Sequence, residues 1–229
     1  MKSANRTGLL LGILLLLQLA GLTVPFILLH PLQSPPGFLE NAAGVAFQIK
    51  VAVILFFVNC ALTIGIAAIT FQIFRHYSYA LALGLLSASI IMFVMQAVDN
   101  VHLLSMVSLS QEYVGAGGAN AELFHGLATV VSTTRKWTHY TELLSIDAWM
   151  FLFYGLMWRS ALVPRALTAF TLLTITLHTV GISLPQFLGY RGVTLLGVPL
   201  AASYVAMAAW LMIKGFDERH RPLASGEAA

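Results

Sequence analysis

A succession of long apolar stretches dominates this chain, and no other feature limits its fold so severely. A helix that crosses the hydrocarbon of a bilayer needs about 20 predominantly apolar residues. Such stretches are read at 8–29, 45–74, 79–109, 121–158, 164–186 and 193–213. Of the 229 residues 59% are hydrophobic and 9% charged, where a soluble domain carries about 25% charged residues. So few charges could not cover a water-facing surface, so most of the solvent must be lipid. The expected fold is an all-α integral membrane bundle of six transmembrane helices. It forms one domain over residues 1–214, followed by a polar cytoplasmic tail at 215–229. Six spans of about 20 residues use about 120, which leaves no room for a second folded domain.

The amino terminus, Met1 to Arg6, is basic and could mimic a secretory leader. The apolar run behind it extends from Gly8 to Leu29, longer than the roughly 7–15 residues of a leader's core, and no A-x-A-like site closes it. It is expected to stay as the first helix. Gly8 and Gly12 form a G-x-x-x-G pair there, and Ala80, Gly84 and Ala88 line one face of the third helix; both patterns suit close helix packing. Pro31 to Asn41 reads as an outer loop, Arg75 to Ser78 as a short inner link, and Gln111 to Asn120 as a polar outer loop. Residues 121–158 contain no helix breaker, yet at 1.5 Å per residue they would run about 57 Å, nearly twice the hydrocarbon thickness. Their first half (123–138) is read as lying outside or along the membrane, with the true span near 139–157. Pro164 suits the first turn of the fifth helix.

Basic residues favour the cytoplasmic side of a membrane protein. With the amino terminus inside, the inner segments hold Lys2, Arg6, Arg75, Arg159, Arg165, Lys214, Arg219 and Arg221, and the outer ones Lys50, Arg135, Lys136 and Arg191. This bias places both termini in the cytoplasm. Trp137, Tyr140 and Tyr190 would then sit at the outer interface, and Tyr77, Tyr79 and Trp158 at the inner one.

Ionisable groups inside a bilayer cost several kcal/mol, so each is a functional candidate. Counting rise along the helices puts Asp147 about 16 Å from the inner boundary, His178 about 21 Å and Glu142 about 24 Å. His139 and Asp99 fall near the outer end of their helices, and Gln96, Asn100 and His102 lie near Asp99. Most of these groups occupy the outer half. Arg135, Thr138, Glu142, Ser145 and Trp149 share a stripe of one helix. Asp147 is rotated about 140° from Glu142, so the two carboxylates should address different neighbours. Candidate partners for them are His139, His178, Lys50 and Arg135. Thr168, Thr171 and Thr174 rise along the fifth helix toward His178. Threonines in membrane helices commonly bond back to their own backbone, and Lys50 can extend to the headgroups.

Asp99, His139, Glu142 and His178 could together ligate zinc, although no H-x-x-x-H or H-E-x-x-H pair fixes two ligands on one helix face. Bis-histidine haem would need His178 with His102 or His139. Neither cofactor is the primary expectation, which is none. Met92 and Met95 read as packing residues rather than copper ligands, and Cys60 as a small buried filler. No nucleotide-binding or hydrolase motif is present, and the net charge of +3 is spread along the chain, without a nucleic-acid footprint. Membrane lipids are the implied partners. Small-residue faces would permit a homodimer, and prolines near the outer ends of the helices (Pro25, Pro185, Pro199) would widen an outer cavity.

The order of these features resembles an uncharacterised bacterial family of multi-pass membrane proteins, a domain of unknown function. The shared features are Arg6-Thr7-Gly8-Leu9-Leu10-Leu11-Gly12, the proline-containing outer loop, and the second helix ending in a basic turn. The most specific is the R-S-x-x-V-P-R-x-L junction from Arg159 to Leu167. The resemblance implies a six-helix bacterial inner-membrane protein and carries no catalytic residues with it. The expected function is binding or transport of a small solute, ion or lipid-like ligand at Asp147, Glu142, His178, His139, Asp99 and Gln96. The alternatives are a membrane-embedded metal-dependent hydrolase at Asp99, His139, Glu142 and His178, or a non-catalytic structural or regulatory subunit; of these readings, an enzyme is the less favoured.

Overall fold

The computed structural model describes residues 3–190 and 194–217. Lys2, Arg191, the first residue of the expected sixth helix and the tail from 218 onward lie outside the described residues. Seven α-helices follow in chain order: α1 (Ser3–Leu29), α2 (Phe38–Asn41), α3 (Ala46–Phe74), α4 (Tyr79–Gly115), α5 (Ala121–Ser160), α6 (Arg165–Leu188) and α7 (Val198–Ile213). Short 3-10 turns occupy His30–Leu32 and Thr194–Gly197, and no strand occurs among the described residues. In hydrocarbon only a helix satisfies its own backbone polar groups, which is why apolar sequence becomes helix almost end to end.

Among the described residues, five stretches are long and apolar enough to cross a membrane: Arg6–Leu32, Ala46–Phe74, Tyr79–Gly115, Arg165–Leu188 and Leu195–Ile213. α5 is longer than any of them at 40 residues, but Arg135, Lys136, Glu142 and Asp147 make its middle too polar to stand with them. α5 is one uninterrupted helix, with no break where the surface segment was expected to give way to the span. Two loops are shorter than expected. α4 continues to Gly115 because nothing in Gln111 to Val114 breaks a helix; the turn comes at Gly117 and Gly118, whose φ values of 57° and 90° suit glycine. The loop after α1 folds into α2, because Phe38 and Leu39 are buried.

Contacts divide the chain into two compact units, each gathered from separate segments. The first comprises Met1–Leu19, Leu62–Ile90 and Ile146–Ala229. There α1 meets α7 through small residues: a Cβ added at Gly8 would fall 2.6 Å from the Gly215 Cα, and one at Gly12 would fall 2.7 Å from the Ala208 carbonyl. Gln18 bridges three helices of this unit, accepting a hydrogen bond from Tyr204 and donating one to Thr63. Trp149 stacks on Phe153 at 5.0 Å and donates its indole N–H to Ser89 at 2.8 Å.

The second unit comprises Ala20–Ala61 and Ile91–Ser145. Its core gathers Leu29, Leu32, Phe38, Leu39, Ile49, Phe56, Leu103 and Met106. Tyr113 packs edge-on against Phe124 at 5.6 Å, closing the turn between α4 and α5.

The small residues of α4 do not mark its packed face. No atom lies within 4 Å of a Cβ added at Gly84, and the buried side chains there are Ala82, Leu85 and Ser89. Gly12→Ala should therefore lower stability by about 1–3 kcal/mol through overpacking. Gly84→Ala should leave it unchanged or raise it by up to about 1 kcal/mol through helix propensity. Thermal unfolding of the two variants in detergent checks the contrast; equal shifts would disprove the α1–α7 contact.

Candidate functional site

In the second unit, α4 and α5 bring four charged or ionisable groups together. Arg135, His139 and Glu142 recur at i, i+4 and i+7 and so share one face of α5. Asp99 reaches this face from α4. Arg135 Nη2 lies 3.6 Å from Asp99 Oδ2, and His139 Nδ1 lies 3.4 Å from Glu142 Oε2. One ligating atom from each of Asp99, His139 and Glu142 can be chosen so that all lie within 4.8 Å of one another. Asp99 is 1% exposed and Glu142 3%. Phe26 closes over the His139 ring edge-on, with centroids 5.8 Å apart.

Asp99 is the anomaly in this cluster. Neither of its carboxylate oxygens receives a hydrogen bond among the described residues, and Arg135 Nε is likewise unpartnered. A carboxylate offers about four lone-pair sites, and burying one without donors costs several kcal/mol. Its neighbours on α4 behave differently. Gln96 donates to Asn100 at 3.2 Å, and Asn100 donates to the Val53 carbonyl at 3.4 Å. That amide pair ties α4 to α3 and leaves Asp99 as the group without a donor.

In the first unit, α5 and α6 build a separate arrangement. Asp147 Oδ1 lies 2.8 Å from His178 Nδ1, and Thr179 Oγ1 lies 2.8 Å from Asp147 Oδ2. Asp147, 2% exposed, thus has a partner on each oxygen. If Nδ1 carries the proton given to Asp147, the neutral ring presents Nε2 as an acceptor. The imidazole lies against Gly197, where a Cβ would come within 3.2 Å of His178 Cδ2. Below it, Thr168 and Thr171 bond back to their own helix, and Thr174 also meets Ser203 at 2.9 Å.

The six residues expected to bind a ligand therefore fall into three settings. Asp99, His139 and Glu142 converge; Asp147 and His178 pair with each other; Gln96 serves the α3–α4 link. The triad that could hold a metal does not include His178, whose Nδ1 belongs to Asp147. Lys50 is exposed. Cys60 is buried and unpaired. Sequence reading overlooked Thr179 and the Gln18–Tyr204 bond, although a glutamine within an apolar helix was itself a visible signal.

A groove of about 410 Å³ between α4 and α5 is lined by Met95, Val98, Thr133, Thr134, Trp137, Thr138 and Thr141. The hydroxyls of Thr134, Thr138 and Thr141 already donate to carbonyls of their own helix, which leaves only their acceptor lone pairs for a ligand. The buried cluster is the stronger site.

The two aspartates make different predictions. Asp147→Asn should lower stability by about 1–3 kcal/mol, because it weakens two hydrogen bonds. Asp99→Asn removes a buried carboxylate without a hydrogen-bond donor but also strips Arg135 of its counter-charge at 3.6 Å; the two effects oppose, so the apo protein's melting temperature should fall less than in Asp147→Asn. Thermal melts of both variants decide; a large loss in Asp99→Asn would mean that its contact with Arg135 holds the fold.

Neither a curated protein nor a solved structure matches the chain significantly. Residues 8–215 match a family described as a domain of unknown function. That match takes in α3 to α7 and nearly all of α1, with both charged clusters inside it. The chain is a member of the DUF4386 family, and its membrane-type helices belong to that domain.

Proposed function

We propose that this protein binds a small cationic or hydrogen-bond-donating ligand at the Asp99–His139–Glu142 cluster within the membrane. The observation that carries this reading is the donor-free carboxylate of Asp99, 1% exposed. A fold that needed no ligand there would gain stability by replacing it with an apolar residue or by supplying donors. Glu142 adds a second carboxylate and His139 a ring that can donate or accept, so the site suits a compact group that brings its own positive charge or protons. Arg135 offsets one negative charge and leaves room for another cation. The Asp147–His178 pair is already satisfied at both carboxylate oxygens, so it fits an orienting or proton-handling role better than ligand capture.

The reading extends to topology. We place six spans in a bacterial inner membrane with both termini cytoplasmic, residues 139–157 of α5 serving as the span that the five more apolar stretches lack. The eight-to-four distribution of basic residues supports that orientation. In this frame the cluster lies in the outer half of the spans. In a Cys60→Ala background, Gln33→Cys should react with an impermeant maleimide from outside, and His76→Cys only after permeabilisation. The reverse pattern would invert the topology.

Ligand binding is tested by titrating purified protein in nanodiscs with small cations, both metal ions and organic ammonium ions such as ethylammonium, followed by thermal shift. A ligand at 100 times its Kd should stabilise the fold by about 2.7 kcal/mol. Glu142→Gln should remove that gain. If no cation stabilises the wild type, or Glu142→Gln responds equally, the reading fails.

A further inference from the structure

We infer that Asp99, His139 and Glu142 form a binding site for a divalent transition-metal ion of the zinc class. This rests on the reading that the cluster binds a cation, and it names the cation's chemistry. Three observations carry it. First, the donor set is one imidazole and two carboxylates, which suits zinc and its first-row neighbours better than the all-oxygen shell preferred by calcium or magnesium. Second, the geometry is nearly assembled: the three ligating atoms lie within 4.8 Å of one another. In a tetrahedral shell with bonds of about 2.1 Å, two ligand atoms sit about 3.4 Å apart, so closing on an ion draws a pair at the full 4.8 Å together by about 1.4 Å. Third, Asp99 is fully buried and neither oxygen has a hydrogen-bond donor among the described residues. Arg135 stands at 3.6 Å, too far to fill those lone pairs.

The placement on the helices fits metal capture. His139 and Glu142 are three residues apart on α5, so their side chains rise from one face, and Asp99 enters from α4. Some carboxylate-rich helix bundles hold metals with a Glu and a His three residues apart on one helix and a carboxylate from a facing one; here the order along the helix is reversed, His139 before Glu142. Three protein ligands leave a fourth position for water or a solute, the pattern of sites that do chemistry rather than purely structural ones. His139 is the least buried of the three, its side chain 20% exposed, so an ion or its fourth ligand would enter beside that ring. Arg135 is not a ligand. Its positive charge opposes the ion and sets an upper limit on affinity.

The full-length protein, stripped by a chelator and titrated in detergent with Zn2+ alone, should bind one ion per chain. Asp99→Asn and Glu142→Gln should each weaken binding about 100-fold or more, since even second-sphere changes cost 10- to 100-fold. Arg135→Gln removes the opposing charge and should tighten binding about threefold or more. That gain is one a damaged fold would not show. His125→Ala, at an exposed histidine of α5, should change nothing. Mn2+ in the same titration checks for a harder, oxygen-favouring preference, and Mg2+ should not compete. Equal Zn2+ binding in wild type and the carboxylate variants, or loss on His125→Ala, would overturn the site. Absence of Zn2+ and Mn2+ binding while ethylammonium still stabilises the protein through Glu142 would overturn the metal and leave the broader reading standing. Absence of both would remove both.

Discussion

Hydrocarbon offers a peptide group no hydrogen-bond partner, and the rest of this molecule follows from that. Backbone that enters the membrane must satisfy itself, which makes helices of 24 to 40 residues from α3 to α6. The same demand explains the hydroxyls. Thr70, Ser89, Thr171 and Thr176 each turn their proton back to a carbonyl one turn earlier, so polar residues ride inside apolar helices at little cost. Some polar groups reach another helix and are held closely there: Gln18 to Tyr204 and Thr63, Trp149 to Ser89. An amide or indole N–H left bare in lipid would cost far more than a helix gains from its placement.

Against that economy the carboxylates stand apart, and they are treated in two ways. Asp147 is given a ring nitrogen at 2.8 Å and a hydroxyl at 2.8 Å; its charge or proton is fully managed by α6. Asp99 is equally buried and receives no hydrogen bond among the described residues, only the Arg135 guanidinium at 3.6 Å. One chain, folding under one solvent constraint, satisfies the first group and leaves the second without hydrogen bonds. Local failure to satisfy a polar group within an otherwise satisfied structure is the usual mark of a site kept for something other than stability.

The membrane class and most helix boundaries were legible in residue order because hydropathy reports the solvent directly. The first and second expected helices, 8–29 and 45–74, came within a few residues of α1 and α3. Other features were not legible, for a specific reason. α1 and α3 are apolar around nearly their whole circumference, so periodicity cannot say which face meets protein and which meets lipid. Small residues then become the only clue, and they served at Gly8 and Gly12 but misled at Gly84. Within α5, the relation of Arg135, His139 and Glu142 was available from spacing alone. The partner of that face was not: Asp99 lies on another helix, and no pattern in either helix names the other. The same applies to His178, a candidate partner for either carboxylate in the sequence, which packing assigns to Asp147. Pairings between helices depend on packing angles and depth, to which hydropathy is blind.

The length of α5 bears on how such a site can exist. A helix that began at the membrane surface would expose His139 and Glu142 in its first turn, where fraying and water would loosen them. Continuing the helix back to Ala121, capped by the turn that Tyr113 and Phe124 close, moves both residues well inside a continuous rod. Three ligating groups need to be held within about 0.5 Å to act together. The interior of a long helix facing a second long helix, α4, provides that rigidity where a loop would not. The polar middle that weakens α5 as a membrane span is therefore the same stretch that gives the cluster its precision.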